Sequence, residues 1–535
     1  MRSQNIKRDL SLLGDELIEK FILQDVKASK YVNSFFSEEN IINHSENKKN
    51  LFTADKRKVL VKELNKQYSD LQTSDKTSKN IQSLTDSNTL SITTGHQLNI
   101  FSGPLMVLYK IAQVISIANY LNSKINDFKY VPVFWIASED HDFDEISEVN
   151  IENNSVIWNL DSKDSPVGKI KLDGFEEVIQ SYKDCIIDFE FKDLLESLID
   201  SSYTYSDSLS TATIKFIDSL FSKHGLIIID SNKKAFKELF SEQFKNEILY
   251  STCKVDSEDQ INNIQNNFKS YKPQVNPSDI NFFKFTKNGR KRIRKKENLF
   301  IVDDEKEYTS DQIINQIESN PEFFSPNVLM RPLYQEKILP NICYVGGPNE
   351  LKYWMQLKTY FENNNIQFPI LKLRHSAYIL DKKISKKITK SDVEIKYFMG
   401  KLDDLINFKI NSLSKLKLNF DSLKNTLSNQ FDDLRRVSIK TNESFIGALN
   451  AQEKKQIKGL TDLEKKLKKA EQKNHETELN NIKNIYESIH PKGIDQERYL
   501  NFGNFYSFKG QELIDYIIDK VPISDDKILV INLED

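Results

Sequence analysis

The chain has 535 residues, of which 75 are Lys or Arg and 78 are Asp or Glu, so its formal net charge is −3. This balance argues against a protein whose main partner is nucleic acid or an anionic membrane. Cys185, Cys253 and Cys343 are scattered without metal-ligand spacing, and no apolar run reaches the roughly 20 residues of a membrane span, so we expect a cytoplasmic protein.

The N-terminal third of the chain changes character once. Residues 1–85 have the polar, amphipathic pattern of helices, after which the short stretch LSITTGHQ (90–97) predicts a strand that enters a glycine turn. Segment 103–121 is apolar almost all round and has Pro104 in its first turn, which indicates a buried helix. The run YVPVFWIA (130–137) is typical of a strand covered on both faces.

Strand and helix patterns then alternate. HGLIIIDS (224–231) and PILKL (369–373) predict further buried strands, and ICYVGGPNELKYWMQLKTYF (342–361) predicts a strand, a glycine turn and a helix that begins at Pro348. Alternation of this kind favours an α/β fold with a doubly wound parallel sheet. Sites in such sheets form beyond the carboxyl ends of the strands.

Other stretches interrupt or follow this core. In residues 385–490 glycine and proline nearly vanish and apolar residues step by three and four, as in Leu413, Leu416, Phe420, Leu423 and Leu427, and again in Leu460, Leu463, Leu467 and Ala470. This pattern predicts an antiparallel coiled coil. The domains that we predict are a core, 1–384, with N-terminal helices and insertions near 150–205 and 251–325, the coiled coil, 385–490, and a C-terminal segment, 491–535, that returns to the core.

The turn TTGHQLNIFSGP (93–104) lies between a predicted strand and a predicted helix. Gly95 and Gly103 would let the backbone approach a phosphate or nucleotide, His96 could donate to developing charge, and a helix N-terminus favours an anion. A plain glycine turn with a packed histidine explains the same residues equally well. The spacing is not that of a P-loop.

An acidic loop follows the predicted strand 130–137. SEDHDFDEI (138–146) places His141 among carboxylates, at what should be the carboxyl edge of the sheet. The carboxylates could bind an ammonium group, ribose hydroxyls or a magnesium ion, and His141 could move protons. An acidic loop is often only solvated surface, but its position directly after a buried strand favours a functional site.

A third candidate combines Arg331 with the turn Gly346-Gly347-Pro348. The guanidinium could bind a carboxylate or phosphate with two hydrogen bonds, and Glu350 lies in the first turn of the predicted helix. A surface arginine and an ordinary helix start account for the local pattern equally well.

Five motifs occur in order along the chain, namely TTGHQLNIFSGPL, VPVFWIASEDHDFDEI, SPNVLMRPLYQE, YVGGPNELKYWMQL and IHPKGIDQERYLNF. Together they closely resemble the bacillithiol-biosynthesis cysteine-adding enzymes, a family of cysteine ligases, over nearly the whole chain. The resemblance implies a Rossmann-like core related in shape to class I synthetases, two inserted connecting segments, a coiled-coil arm and a homodimer. The implied reaction adds L-cysteine to the amine of glucosaminyl-malate and gives bacillithiol.

The resemblance and the chemistry of this reaction together suggest roles for individual residues. Amide formation needs an activated carboxylate, so ATP is the expected nucleotide, with Mg²⁺ as a candidate companion and no protein metal ligand assigned. The candidate residues are His141, His96, Asp140 and Asp142 for catalysis; Gln97, Trp135, Glu139, Arg331, Arg374 and Arg498 for substrate binding; and Gly95, Gly103, Lys110, Gly346, Gly347 and Glu350 for nucleotide binding.

Two alternatives from other classes stay open. The chain could be a nucleotidyltransferase or amino-acid activating enzyme with another acceptor, which an ATP-consumption assay with several acceptors would reveal. It could also be a non-catalytic coiled-coil scaffold, although His96, His141 and Arg331 argue against that.

Overall fold

The computed structural model describes residues 1–160, 165–205, 207–303, 306–438 and 443–533. Its strands are β1 (Arg2–Lys7), β2 (Thr89–His96), β3 (Lys129–Ile136), β4 (Glu148–Ile151), β5 (Asn154–Ile157), β6 (Ile227–Asp230), β7 (Phe282–Thr286), β8 (Gly289–Lys296), β9 (Leu299–Val302), β10 (Lys306–Tyr308), β11 (Phe324–Pro326), β12 (Asn341–Gly346), β13 (Ile370–Leu373), β14 (Ala377–Leu380) and β15 (Lys527–Asn532).

The helices up to the end of the core are α1 (Glu16–Ile22), α2 (Val26–Ser29), α3 (Glu38–Leu51), α4 (Ala54–Gln67), α5 (Asp75–Ser83), α6 (Leu105–Lys124), α7 (Glu176–Cys185), α8 (Lys192–Ser202), α9 (Leu209–Phe221), α10 (Lys234–Glu238), α11 (Ser241–Tyr250), α12 (Thr252–Asn267), α13 (Ser310–Ser319), α14 (Met330–Ile338), α15 (Pro348–Met355) and α16 (Lys358–Asn363). Those that follow are α17 (Lys382–Lys390), α18 (Ile395–Phe398), α19 (Leu402–Leu413), α20 (Asp421–Ser438), α21 (Glu443–Asn474), α22 (Glu476–Ile489), α23 (Gln496–Tyr499), α24 (Gly503–Lys509) and α25 (Gln511–Lys520).

The chain forms two compact units. The larger unit contains Ser3–Ile379 and Asp495–Ile531, and the smaller unit contains Leu380–Ile494 with short pieces of both termini. The larger unit is built on a five-stranded sheet with the order β13-β12-β2-β3-β6, in which every pair of neighbouring strands is parallel.

The order of this sheet reverses next to β2. From β2 the chain adds β3 and β6 on one side, and then returns to add β12 and β13 on the other side. The predicted doubly wound parallel sheet is therefore confirmed. The reversal creates a crevice between the carboxyl ends of β2 and β12, which is where such sheets bind their ligands.

The helix α6 packs against this sheet. Thirteen of its side chains are buried, which confirms the prediction of a helix that is covered all round. Pro104 is the N-cap of α6. At the N-terminus the predicted helices are present as α1 to α5, but the sequence did not reveal β1, which lies at the edge of a three-stranded sheet with β15 and β14.

The two predicted insertions have structures of their own. The first contains the hairpin β4–β5 and the helices α7 and α8, and residues 161–164 of it lie outside the described part of the chain. The second contains most of an antiparallel sheet with the order β10-β9-β8-β7-β11. Its β7–β8 hairpin contains the basic stretch NGRKRIRKK (288–296).

The smaller unit contains an antiparallel pair of long helices, α20 and α21. Lys424 of α20 contacts Glu464 of α21 at 2.6 Å, and Ser428, further along α20, contacts Glu453, which is earlier in α21, at 2.6 Å. The two helices therefore run in opposite directions. The predicted antiparallel coiled coil is thus present over this pair. The C-terminal residues of α20 and the N-terminal residues of α21 flank positions 439–442, which lie outside the described part of the chain.

The prediction that the apolar residues from Leu413 to Leu423 lie on one continuous helix is wrong. The helix α19 ends at Leu413, and α20 begins at Asp421. The side chain of Ser414 accepts a hydrogen bond from the Leu416 amide at 3.0 Å, and that of Asn419 accepts one from the Asp421 amide at 2.6 Å. Such local bonds compete with helical backbone bonds, so the apolar spacing continues while the helix does not.

Candidate functional site

A cavity of about 510 Å³ lies at the carboxyl edge of the central sheet. We call it the switch-point cavity. Its lining comes from β2, β3 and β12, the residues that follow β3 and β6, the second insertion with the residues after it, and the helices α14 and α15. The lining residues are Gly95, His96, Gln97, Trp135, Ala137, Ser138, Glu139, Asp140, His141, Ser231, Val275, Asn276, Ser278, Phe283, Arg290, Arg292, Pro326, Asn327, Val328, Arg331, Tyr344, Glu350 and Tyr353. The GHQ turn and the acidic loop therefore meet in one cavity, as their positions after two neighbouring strands predict.

Backbone bonds fix the acidic loop. The amide of Val167 donates to the carbonyl of Asp140 at 2.7 Å, and the amide of Gly168 donates to the carbonyl of Ser138 at 2.9 Å. A side-chain bond from Gln97 to Asp140 at 3.1 Å adds a link to the GHQ turn. The first insertion and β2 thus hold the loop at a defined position, which a surface loop would lack.

Two carboxylates of the loop already have partners. Glu139 is buried and forms an ion pair with the buried ammonium of Lys237. Burial acts to raise the pKa of Asp140, but hydrogen bonds from His141 and Gln97 and the charge of Arg290 outweigh it and hold that pKa well below its usual range. Asp140 is therefore ionised at neutral pH.

His141 lies between a cation and an anion. Its Nδ1 is 3.2 Å from Nη1 of Arg290 and 3.4 Å from Oδ1 of Asp140. A guanidinium can only donate, so the neutral ring bonded to Arg290 carries its proton on Nε2. When Nδ1 carries the proton, it can donate to Asp140 instead, and the lone pair of Nε2 becomes free to act as a base. The two partners thus select two tautomers with different chemistry.

Arg290 belongs to the β7–β8 hairpin and is itself held firmly. Its Nη2 donates to the carbonyl of Pro326 at 2.7 Å, and its Nε donates to Ser325 at 3.1 Å. The guanidinium carbon lies 4.0 Å from the centre of the Phe283 ring. The second insertion therefore brings a positioned cation to the acidic loop.

A buried ion pair braces the other side of the cavity. The ammonium of Lys110 donates to the carbonyl of Gly95 at 2.9 Å and pairs with Glu350, which also accepts from the Tyr344 hydroxyl at 2.8 Å. Burial acts to raise the pKa of Glu350, but the Lys110 charge outweighs it and lowers that pKa. This bridge joins the end of β2 to the first turn of α15 across the switch point.

His96 stays neutral in this setting. Burial, with a smaller contribution from the Lys110 charge, lowers the pKa of His96 to about 3. A histidine of this kind is a weak base at neutral pH, but it can still donate or accept one hydrogen bond. His96 is therefore better suited to orient a substrate group than to remove its proton.

The lowered pKa of His96 predicts a dependence of stability on pH. Between pH 6.5 and about 3 the unfolded chain binds a proton at this residue and the folded chain does not. The free energy of unfolding therefore falls as the pH falls through this window, by at most about 1.4 kcal/mol per pH unit from His96. Urea unfolding of the wild type and His96→Gln at several pH values measures this. The variant should lose less stability on acidification, and equal slopes would contradict the prediction.

Arg331, on α14, lines the cavity between three aromatic rings. Its guanidinium carbon lies 5.8 to 5.9 Å from the ring centres of Trp135, Tyr344 and Trp354. Its Nη1 donates to Gln335 at 2.8 Å. No carboxylate in the described ranges lies within 4.0 Å of it, so a charged group that faces the cavity is available to an anionic ligand.

The predicted site residues fall into two groups. Nine line the cavity: Gly95, His96, Gln97, Trp135, Glu139, Asp140, His141, Arg331 and Glu350. Seven do not: Asp142, Gly103, Lys110, Gly346, Gly347, Arg374 and Arg498.

Those outside the lining have other surroundings. Arg374 is buried and pairs with Glu497 at 2.8 Å, and Arg498 is exposed on α23. Gly103 has a φ of 65°, which the turn before α6 requires and which glycine adopts without strain. Its carbonyl accepts a hydrogen bond from the Asn501 side chain at 2.7 Å. Asp142 is exposed on the acidic loop.

Several residues of the cavity could not be recognised from the sequence, above all Arg290. A basic stretch was visible, but nothing in the local pattern showed that this hairpin folds back over a loop 149 positions earlier in the chain. Ser138 in the lining and Lys237, which lies outside it and pairs with Glu139, were missed for the same reason, because their partners are distant in sequence.

Two further features of the described residues bear on the kind of site. Within the described ranges, no group of three or more His, Cys, Asp or Glu side chains is arranged to hold a metal ion. Across the same part of the chain, no helix has the length and apolar content needed to cross a membrane.

These features define a Rossmann-like α/β protein with a polar cavity at the switch point of its sheet and a separate coiled-coil unit. Residues 1–375 match the family described as "Bacillithiol biosynthesis BshC, N-terminal Rossmann-like domain", and residues 377–533 match its "C-terminal coiled-coil domain". The chain belongs to this family.

Curated relatives agree with this assignment. Proteins of Flavobacterium johnsoniae and Christiangramia forsetii, each named "Putative cysteine ligase BshC", are both 37% identical to this chain, over 95% and 97% of either sequence, respectively. A protein of the same name from Bacillus cereus is 26% identical over 89% of this chain and 91% of its own.

Proposed function

We propose that this chain is a cysteine ligase that joins the carboxylate of L-cysteine to the amine of glucosaminyl-malate in bacillithiol biosynthesis. The names of its relatives support the reaction class. The observation that carries the proposal is the division of charge in the switch-point cavity, which has the ionised Asp140 with His141 on one side and the available cation Arg331 on another.

The substrates match this division of charge. Cysteine and the amino sugar carry ammonium groups that suit the ionised Asp140, since Nη1 of Arg290 is as far as 3.7 Å from its Oδ1. The malate part of the acceptor carries two carboxylates that suit arginine. Arg331 and the exposed Arg292 are candidates for these carboxylates, because both line the cavity. Arg374 is a weaker candidate than the sequence suggested, since Glu497 already neutralises it.

ATP is the proposed second substrate. The cysteine carboxylate would attack the α-phosphorus, releasing pyrophosphate and forming an acyl-adenylate. The deprotonated amine of the acceptor would then attack the acyl carbon, and AMP would leave. Gly95, the neutral His96 and Glu350 line the cavity next to the switch point and are the candidates to contact the nucleotide. A reaction that consumes ATP and free cysteine fits the cytoplasm, the compartment that we expect.

Magnesium is not assigned to side chains. Two carboxylates of the acidic loop already face cations, because Glu139 forms an ion pair with Lys237 and Asp140 lies 3.7 Å from Arg290. A metal ion that enters with ATP would therefore rely on phosphate oxygens and water for most of its ligands.

The test is direct. The purified chain is incubated with ATP, cysteine and glucosaminyl-malate, and mass spectrometry follows the amide product while chromatography separates AMP from ADP. AMP with product supports the adenylate route, and ADP would instead indicate an acyl-phosphate. Consumption of ATP with a different acceptor would favour the alternative activating enzyme, and no consumption with any acceptor would favour a scaffold.

We also propose that the coiled coil makes the protein a homodimer. Apolar side chains remain about half exposed or more on its helices, including Leu423 at 55%, Leu463 at 55% and Val437 at 80%. Exposed apolar surface of this extent on an amphipathic helix pair is typical of an association surface.

Sedimentation velocity at micromolar concentration should show a dimer. The double variant Leu423→Glu and Leu463→Glu should shift it to a monomer, because charges would enter an apolar interface, whereas Ser422→Glu on the same helix should not. A monomeric wild type would remove the dimer and leave the helix pair intact.

A further inference from the structure

A second cavity, of about 550 Å³, lies at the carboxyl end of β6. It is lined by the end of α4, the first insertion, the start of α9 and the residues after β6. Five of its lining residues are lysines, namely Lys66, Lys169, Lys171, Lys215 and Lys233, against two carboxylates, Asp70 and Asp230. We call it the lysine cavity. Ser138 lines both this cavity and the switch-point cavity.

The carboxylate of Asp230 is engaged within the wall. It accepts hydrogen bonds from the hydroxyls of Ser138 at 2.5 Å and Ser210 at 2.6 Å, and from the Asn232 amide at 3.0 Å. Asp230 thus holds the ends of β3, β6 and α9 together. Its oxygens have little remaining capacity to receive a lysine.

The lysines are only partly neutralised. Lys66 pairs with Glu63 at 2.7 Å, and Lys215 pairs with Asp207 at 2.6 Å. Within the described ranges, Lys169 and Lys233 have no carboxylate within 4.0 Å. These two ammonium groups are therefore the cations of the lining that an anionic ligand can engage.

Hydroxyls and a helix start complete the lining. The side chain of Ser208 caps α9 by accepting from the Thr211 amide at 3.2 Å, and both residues line the cavity. The positive end of the 13-residue α9 adds to the field of the lysines. None of the described lining residues is aromatic, so the cavity offers charge and hydroxyls but no surface on which a base could stack.

The wall of the cavity is tightly packed. A Cβ atom added at Gly168 would lie 2.5 Å from Cβ of Ser138, so only glycine allows the first insertion to approach the loop this closely. The Gly168 amide donates to the Ser138 carbonyl at 2.9 Å. The lining is therefore held in place before any ligand arrives, which lowers the entropic cost of binding.

We propose that the lysine cavity is a binding site for a small phosphate-class polyanion, separate from the switch-point cavity and from the proposed ligase reaction. The ligand class follows from Lys169 and Lys233, which have no carboxylate partner within the described ranges, from the hydroxyls and the helix start, and from the lack of aromatic residues in the described lining. A free pyrophosphate and the diphosphate of a nucleotide share this chemistry.

Titration calorimetry of the full chain with pyrophosphate tests the site. The double variant Lys169→Gln and Lys233→Gln should bind pyrophosphate about tenfold more weakly than the wild type, because it removes two ammonium groups from the lining. The matched control, Lys58→Gln and Lys62→Gln, removes two exposed lysines of α4 that lie outside the lining and should bind like the wild type. Thermal melting checks that each variant folds.

A third variant separates the two cavities. Arg331→Met should retain the pyrophosphate affinity of the wild type, since Arg331 lines only the switch-point cavity of these two. The same titrations are repeated with ADP. If the Lys169 and Lys233 changes weaken ADP binding as much as they weaken pyrophosphate binding, the site binds the diphosphate of the nucleotide. Three results would overturn the proposal. The double variant could bind pyrophosphate as tightly as the wild type, the control could lose as much pyrophosphate affinity as the double variant, or Arg331→Met could lose pyrophosphate affinity.

Discussion

Replacing His141 with alanine or asparagine is expected to lower the rate of cysteine addition by about a hundredfold to ten-thousandfold, the usual cost of losing a positioned acid or base. Binding of the acceptor should change little. The variant should also fold normally, because the His141 side chain is 46% exposed.

The position of His141 supports an effect of this size. The acidic loop is held by the Val167 and Gly168 amides and by Gln97, so the ring sits at a fixed place in the cavity. A histidine on a mobile loop would spend little time in the productive geometry, and its loss would cost less.

The proton on His141 can be assigned by a companion variant. In the wild type, Arg290 and Asp140 compete for Nδ1, at 3.2 and 3.4 Å. If His141 acts as a base through Nε2, Nδ1 must donate to Asp140, so Asp140→Asn should lower the rate and change its pH profile. If His141 instead works as the neutral tautomer that donates a hydrogen bond from Nε2, Nδ1 must accept from Arg290, and Arg290→Gln should have the larger effect.

The measurements are steady-state kinetics of each variant across pH and thermal melting of each protein. Asp144→Asn, an exposed change in the same loop and outside the cavity lining, serves as the control for altered loop charge. Near-normal turnover by His141→Ala would make this histidine a structural partner of Arg290. His96 would be a poor replacement base, because its pKa is lowered to about 3.

The sequence predicted the parts of this site that depend on local pattern. Buried strands are recognisable as apolar runs, and a parallel sheet brings their carboxyl ends to one edge, so His96 and His141 could be placed together before the fold was known. The same reasoning identified the GGP turn after β12 and the helix that follows it.

The remaining parts depend on contacts between distant segments. Arg374 looked like a substrate ligand until its pairing with Glu497, 123 positions later, was visible. Arg290 looked like one cation among many in a lysine-rich hairpin. The spacing of charged residues along the sequence does not predict their partners, because an ion pair can form between any two elements that the fold brings together.

Replacing Arg331 with methionine is expected to raise the KM for the acceptor by about tenfold to a hundredfold, with a much smaller change in kcat. Methionine keeps an apolar side chain between Trp135, Tyr344 and Trp354 and removes the charge. Arg331→Ala should weaken the acceptor as well, but it also opens a void next to these rings.

The expected split between KM and kcat follows from the place of Arg331. It lies on α14 and is bonded to Gln335 on the same helix, whereas the groups suited to proton transfer lie on the loop after β3. An interaction made equally in the ground state and the transition state changes substrate affinity and leaves the chemical step alone. Arg331→Lys should recover part of the affinity, since it restores the charge without the two parallel hydrogen bonds.

Kinetics with varied acceptor at saturating cysteine and ATP provide the measurement, and Lys295→Met, an exposed change on β8 outside the cavity, controls for the loss of one positive charge. An unchanged KM together with a large fall in kcat would show that Arg331 acts on the reacting groups instead. The guanidinium would then have to reach the activated carboxylate or its phosphate, and the acceptor's two carboxylates would depend on Arg292, the remaining cation of the lining with an exposed side chain. In that case Arg292→Gln would raise the KM for the acceptor, whereas Arg331→Met would leave it unchanged. The two variants together show whether the acceptor binds at Arg331 or at Arg292.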